Sequence, residues 1–161
     1  MAEKFRINEI DLEALEGERD RVLCLLKACV PSERVHEVGS TAVPGVVGKQ
    51  DLDFLVLVPP QDFDSARSEL DERFARNPDQ LSNDVYQGYK VDSDLDVAIQ
   101  LTIAGGDHDD FLDFLARLRA SASLRAKYNE LKQAFDGRDM DEYREAKGAF
   151  IERVLSTAND R

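Results

Sequence analysis

The chain has 161 residues, about the length of one domain, and 42% of them are hydrophobic, so it can bury a core without disulfides or a structural metal. Thirty-three acidic against 21 basic residues give a net charge of −12, which argues against general nucleic-acid binding and its clustered Lys and Arg. No apolar run is long enough for a membrane span or a signal peptide, so we expect a soluble, cytoplasmic protein. With two His and two Cys, we expect any chemistry to depend on carboxylates.

Hydrophobic periodicity predicts one helix, then a sheet with a crossover helix, and then only helices. The elements expected before residue 104 are a helix over 10–29, strands over 34–38 and 51–58, a helix over 62–74, and strands over 84–91 and 94–103. Two or three helices are expected after them, and Asp139 with Glu142 resembles a capping box for the last one. The pattern indicates a single α+β domain over 1–161, with a mixed β-sheet, an N-terminal helix and C-terminal helices covering one face.

Gly39 and Ser40 follow the first predicted strand, where a helical turn is expected to begin. Backbone N–H groups point outward at such a turn, and glycine allows a phosphate to approach closely. The hydroxyls of Ser40 and Thr41 would add hydrogen bonds. A tight loop capped by Ser40 explains the same residues, and taken alone it is the better interpretation.

Asp51 and Asp53 stand at the head of the second predicted strand. Because residues i and i+2 of a strand share a face, both carboxylates point the same way, with their Cα atoms about 6–7 Å apart. Carboxylate oxygens suit Mg²⁺ or Mn²⁺, and a bound cation would remove the repulsion between the two charges. A solvated strand end is the alternative.

Asp94 and Asp96 form a second pair on one face of a strand. If the sheet places this strand beside 51–58, three or four carboxylates converge, as they do in two-metal phosphoryl-transfer sites. A hairpin edge blunted by charge is the alternative, and it fits Asp94, beside a predicted turn, better than Asp96. We therefore prefer Asp96 as the third carboxylate.

The spacing of these motifs resembles that of the polymerase-beta-like nucleotidyltransferases. In both, a strand leads to Gly-Ser, ten residues intervene, and Asp-apolar-Asp-apolar opens the next strand. The resemblance implies a nucleotidyltransferase-like fold in which Gly39 and Ser40 hold nucleotide phosphates. It also implies Asp51, Asp53 and Asp96 as catalytic residues that bind the metal.

Two further segments resemble the GrpB family, whose fold is nucleotidyltransferase-like and whose reaction is poorly defined. They are residues 37–45 (Glu-Val-Gly-Ser-Thr-Ala-Val-Pro-Gly) and 145–151 (Glu-Ala-Lys-Gly-Ala-Phe-Ile), within a likeness that runs from about 34 to 155. From these motifs, Lys49 and Lys147 are implied as nucleotide-binding residues beside Gly39, Ser40 and Thr41.

The chain departs from the family pattern at three places. Glu37 stands where the family usually has His, and Asp51 where it usually has an apolar residue. Asp94 and Asp96 stand where the family often has His-x-His. These departures bring the chain closer to the general nucleotidyltransferase pattern.

A basic stretch between residues 117 and 135 stands out in this acidic chain. It contains Arg117, Arg119, Arg125, Lys127 and Lys132 against Glu130 alone. Facing a cleft, these side chains would steer an anionic nucleotide, whereas a solvated outer face is the simpler interpretation for most of them.

The sequence thus favours a Mg²⁺-dependent (or Mn²⁺-dependent) nucleotidyltransferase-like protein. The expected donor is an NTP, ATP first, and the acceptor is a small molecule or a protein that the sequence does not identify. The alternative is a non-catalytic nucleotide-binding or protein-interaction module with the same fold. A kinase or phosphohydrolase use of the site would differ by its products.

Overall fold

The computed structural model describes residues 3–7, 11–39, 42–48, 51–105 and 108–157. Within these ranges the chain forms five α-helices and one five-stranded sheet. In chain order they are α1 (Leu12–Lys27), β1 (Val35–Val38), β2 (Asp51–Val58), α2 (Phe63–Asp71), β3 (Ala75–Arg76), β4 (Tyr86–Lys90), β5 (Asp96–Ile103), α3 (His108–Ala120), α4 (Ala122–Phe135) and α5 (Met140–Thr157). No helix in these ranges combines the length and the apolarity that crossing a membrane requires.

The sheet is mixed, with strand order β1-β2-β5-β4-β3. β2 and β5 run parallel, and each of the other neighbouring pairs is antiparallel. A parallel pair needs a crossover connection, and α2 lies within the connection between β2 and β5. The predicted mixed sheet with a crossover helix is therefore confirmed.

Two apolar clusters cover the two faces of the sheet. On one face, α1 and α2 pack on the alternate residues of β2 and β5 that include Phe54 and Ile99, both fully buried. On the other face, α3, α4 and α5 pack around Val38 and Leu55. The C-terminal helices cover one face, as predicted, and the acidic residues of β2 point toward that same side because they alternate with Phe54.

Several strands are shorter than predicted, because local side-chain hydrogen bonds hold the residues before them in turns. β5 begins at Asp96 rather than at 94, since Ser93 Oγ accepts a hydrogen bond from the Leu95 N–H in a turn. β4 begins at Tyr86 rather than at 84, since the Asn83 side chain accepts from the Val85 N–H.

The helix boundaries and one strand also differ from the prediction. α1 begins at Leu12, where the Asp11 side chain caps it by accepting from the Ala14 N–H. α2 covers Phe63–Asp71 rather than 62–74. The chain then forms the strand β3, which was not predicted because two residues are too few to show a periodic pattern. Asp139 caps α5 by accepting from the Glu142 N–H, which is one of the two hydrogen bonds of the predicted capping box.

Candidate functional site

The parallel register of β2 and β5 brings the predicted carboxylates together where these two strands begin, at one end of the sheet. Asp51 is the register partner of Asp96, the first residue of β5. Asp51 and Asp53 are half-buried and lie on one face of β2, whereas Asp96 is exposed at the rim. Adjacent strands lie about 4.8 Å apart, so all three carboxylates share one end of the sheet.

Asp94 lies elsewhere. It is exposed in the turn before β5 and lines a surface depression together with Glu18 and Arg21 of α1. Arg21 forms a salt bridge with Glu18, which also hydrogen-bonds to Ser93. The geometry therefore favours Asp96 over Asp94 as the neighbour of Asp51 and Asp53.

Gly39 brings the backbone against the Asp53 carboxylate. Its φ is +86°, a conformation that side-chain-bearing residues rarely adopt. A Cβ built on Gly39 would lie 2.7 Å from Asp53 Oδ2. The turn after β1 is thus placed beside the acidic pair, as the phosphate-turn hypothesis requires. The predicted phosphate contacts of Ser40, Thr41 and Lys49 lie outside the described residues.

The acidic pair opens into a cleft of about 210 Å³ between the sheet edge and the C-terminal helices. Three cationic side chains, Lys132 of α4 and Arg144 and Lys147 of α5, line it with Asp51 and Asp53. The remaining lining residues are Gly39 and the apolar Phe5, Met140 and Tyr143. The cleft therefore has a charged part for an anionic group and an apolar part beside it.

Burial shifts the pKa values of the charged groups toward neutrality. Desolvation, followed by the charge of Asp51, raises the pKa of Asp53 to about 7, although Lys147 opposes the shift. Desolvation and the neighbouring Lys147 lower the pKa of Lys132 to about 7, and desolvation also lowers the pKa of Lys147. Groups of both signs are thus held where their charge is costly, which is typical of a binding or catalytic site.

The carboxylates suit Mg²⁺ in kind, although not as a preformed three-ligand cage. Among the described residues, no group of three or more His, Cys, Asp or Glu side chains is placed to hold a metal ion. Mg²⁺ is usually held by one or two carboxylates, with waters and substrate phosphates completing its shell. Asp51 and Asp53 fit that mode, and Asp96 as a third ligand stays a prediction.

Helix α4 fixes the loop that follows the Gly39 turn. The Asn129 side chain accepts a hydrogen bond from the Val47 N–H (2.9 Å) and donates one to the Gly45 carbonyl (2.8 Å). Lys132 Nζ donates to the Val47 carbonyl at 2.9 Å and lies 4.7 Å from the centre of the Tyr128 ring. Lys132 therefore connects the loop with the cleft.

Replacing Asn129 by alanine is expected to lower the free energy of unfolding by about 1–3 kcal/mol, because two backbone groups of the loop lose their partner. Chemical denaturation measures the effect. Gln133→Ala is the matched control, since Gln133 lies exposed on the same helix. Equal effects of the two substitutions would show that the loop does not depend on Asn129.

Asp53 is expected to make stability fall as pH rises from about 4 to 7. Its pKa is 3.8 as a free side chain and about 7 in the folded protein, so the folded state holds a proton that the unfolded chain has released. Asp53→Asn lacks this cost. Its Tm should match the wild type near pH 4 and exceed it at about pH 8, as thermal unfolding across pH would show. A difference independent of pH would contradict the assignment.

The basic stretch contributes one residue to the cleft rather than a charged face. Arg119 donates to the Ala42 carbonyl, and Arg125 donates to the Leu118 and Arg119 carbonyls at the end of α3. Arg117 bonds the Val154 carbonyl and Asp113. Only Lys132 of the five lines the cleft with the acidic pair.

Lys132 was predicted only as one of the five bases of the basic stretch, and Tyr143 was not predicted as a site residue. Lys132 follows Tyr128 by four residues, so both lie on the buried face of α4, and a lysine in that position is the signal that would have identified it. Tyr143 is buried and follows the apolar pattern of α5, so the sequence does not distinguish it from an ordinary core residue.

The fold of the described residues is nucleotidyltransferase-like. A crystal structure of the Cid1 poly(U) polymerase bound to MgATP aligns with a TM-score of 0.50 and 15% identity. The alignment covers 78% of this chain and 42% of that one. At this identity the likeness concerns the fold alone.

The chain belongs to the GrpB family, whose model, described as GrpB protein, matches residues 12–157. A UPF0157 protein of Vibrio cholerae is 34% identical over 134 residues, which cover 83% of this chain and 71% of that protein. A UPF0157 protein of Deinococcus radiodurans is 30% identical over 145 residues, covering 86% and 74%. The crystal structure of GrpB from Enterococcus faecalis aligns with a TM-score of 0.65 at 22% identity, covering 94% of this chain and 96% of that one.

Proposed function

We propose that this protein binds a nucleoside triphosphate with Mg²⁺ (or Mn²⁺) in the cleft and transfers the nucleotidyl group to an acceptor. One observation carries the proposal: the Gly39 turn lies against Asp53, with Asp51 beside it and Lys132 and Lys147 facing them. A phosphate chain needs both N–H or cationic donors and a cation-binding carboxylate pair, and this cleft supplies both in one place.

Each residue would have a role that follows from its position in the cleft. Gly39 and Ser40, with Thr41 and Lys49, would hold the phosphate chain, and Lys147 would neutralise its charge from the opposite wall. Asp51 and Asp53 would hold the metal, which when bound would stabilise negative charge on the reacting phosphoryl group. Asp96 is exposed at the rim, where an acceptor would enter, and would serve as a further ligand or as the base for the acceptor's proton.

Calorimetric titration with each of the four NTPs, in Mg²⁺ and in EDTA, tests binding. We expect Mg²⁺-dependent binding, ATP being the first donor to test, and its loss in the Asp51→Asn/Asp53→Asn double variant. Pyrophosphate release in an acceptor screen then tests transfer. Nucleoside diphosphate or inorganic phosphate as products would indicate a kinase or a hydrolase instead. A cytoplasmic location is part of this proposal, because NTPs and Mg²⁺ are available there.

A non-catalytic nucleotide-binding module is the second candidate, and Lys147 is the observation that favours it. Its cation lies close enough to Asp51 and Asp53 to affect both charges, and it occupies the cleft in which a metal would bind. Binding of an NTP that persists in EDTA, without release of pyrophosphate, would support this candidate over the enzyme.

A further inference from the structure

The apolar part of the cleft is formed by two stacked rings. The Phe5 and Tyr143 rings lie nearly parallel, with an interplanar angle of 9° and centroids 3.8 Å apart. Both rings line the same cleft as Asp51, Asp53 and Lys147. Face-to-face contact at this distance is also how a planar base stacks on an aromatic side chain.

Phe5 belongs to a segment that is hydrogen-bonded to the turn between α4 and α5. We call residues 3–7 the strap. The Phe5 N–H donates to the Arg138 carbonyl (2.9 Å), the Gly137 N–H donates to the Phe5 carbonyl (2.7 Å), and the Met140 N–H donates to the Glu3 carbonyl (2.8 Å). The strap thus pairs with 137–140 through an isolated antiparallel bridge and is not part of the central sheet.

Tyr143, in contrast, is anchored in the helical core. Its hydroxyl interacts with that of Tyr128, and this interaction contributes to the pKa of each group. Tyr128 stacks on Phe150, with centroids 5.4 Å apart, and meets the edge of Phe114. The Tyr143 ring is therefore fixed by α4 and α5, and the face that it turns to the strap is covered by Phe5.

We infer that the Tyr143 face is the subsite for the base of the bound nucleotide, and that Phe5 occupies this subsite in the free protein. The inference rests on the proposed function and specifies where the planar part of the ligand lies. The charged part of the cleft holds the phosphates. The base then takes the place of the Phe5 ring on Tyr143. The strap therefore competes with the base for the Tyr143 face, and nucleotide binding must displace it.

The inference predicts that the substitutions change the affinity for a ligand with a base and leave the affinity for one without a base unchanged. Removing the competing ring by Phe5→Ala should tighten ATP binding by about two- to tenfold, the equivalent of one stacked aromatic pair. Tripolyphosphate has no ring, so its affinity should not change. Tyr143→Leu removes the stacking surface and should weaken ATP binding without affecting tripolyphosphate. All three proteins are titrated calorimetrically in Mg²⁺.

Two controls separate this effect from a loss of packing. Phe135 packs against the small apolar cluster of Phe5, Met140 and Tyr143 but does not line the cleft, so Phe135→Leu should leave ATP affinity unchanged. In the wild-type protein, hydrogen exchange of the Phe5, Gly137 and Met140 amides should accelerate when ATP is added. This measurement needs no variant, so it decides the question even if Phe5→Ala fails to fold.

The outcomes distinguish this inference from the proposed function. ATP binding to the wild type with equal or weaker binding to folded Phe5→Ala, or with strap amides that stay protected, would overturn the inference and leave the proposed function standing. No binding of ATP to any of these proteins would overturn both.

Discussion

Asp53→Asn is expected to lower the rate of nucleotidyl transfer at least about a hundredfold, while the protein stays folded. The asparagine keeps the size and shape of the side chain but loses the charge that would hold the cation beside the phosphates. A metal ion contributes several kcal/mol to stabilising a phosphoryl-transfer transition state, and about 2.7 kcal/mol corresponds to a hundredfold in rate. Pyrophosphate release measures the effect, and circular dichroism verifies the fold.

Asp94→Asn is the matched control for this experiment. Asp94 carries the same charge near the start of β5, but it lines the depression beside α1 rather than the cleft. We expect Asp96→Asn to lower the rate and Asp94→Asn to leave it unchanged. A full rate in Asp53→Asn with metal still bound would refute the carboxylate site, and a large loss in Asp94→Asn would show that the wrong pair was chosen.

Gly39→Ala is expected to destabilise the protein by about 1–2 kcal/mol and to weaken Mg²⁺-dependent NTP binding as well. The positive φ of Gly39 is costly for any residue with a Cβ. The added methyl would also lie 2.7 Å from Asp53 Oδ2, which forces the carboxylate to turn away from its position. Urea denaturation measures the first effect, and calorimetry with ATP and Mg²⁺ measures the second.

Gly17→Ala adds the same methyl group in the interior of α1 and should have the opposite effect. Nothing lies within 4 Å of a Cβ built at Gly17. Alanine is the better helix former by about 0.5–1 kcal/mol, so this variant should be more stable than the wild type, with unchanged NTP affinity. If both substitutions destabilised the protein equally, the conformation and contact of Gly39 would not be the cause.

Much of the fold could be predicted from the sequence because its signals are local. The β-forming residues of β2, the alternation over β5 and the helical spacing of α1 are each contained in a short stretch of chain, so the type of each predicted element was correct, whereas β3 was not predicted. The boundaries were less accurate, since single side chains such as Ser93 and Asn83 end strands by hydrogen bonds that periodicity does not contain.

The candidate site was predictable only in part. Asp51 and Asp53 share a face through the two-residue period of a strand, and the Gly39 turn follows from its glycine and its place after a strand. Lys132, in contrast, reaches the loop at Val47 across 85 residues of sequence. It is one of five bases between residues 117 and 135, so the sequence alone did not separate it from the other four.

The sequence by itself determined the secondary-structure order, the α+β class and the acidic pair on β2, because each depends on residues close together in the chain. Only the tertiary structure decided that β2 and β5 pair in parallel, with Asp96 beside Asp51, and that Lys132, Lys147 and Tyr143 face this edge. The same packing placed the strap on the α4–α5 turn, with Phe5 on Tyr143. These arrangements depend on how distant segments pack, and burial in that packing is also what moves the pKa of Asp53 to about 7.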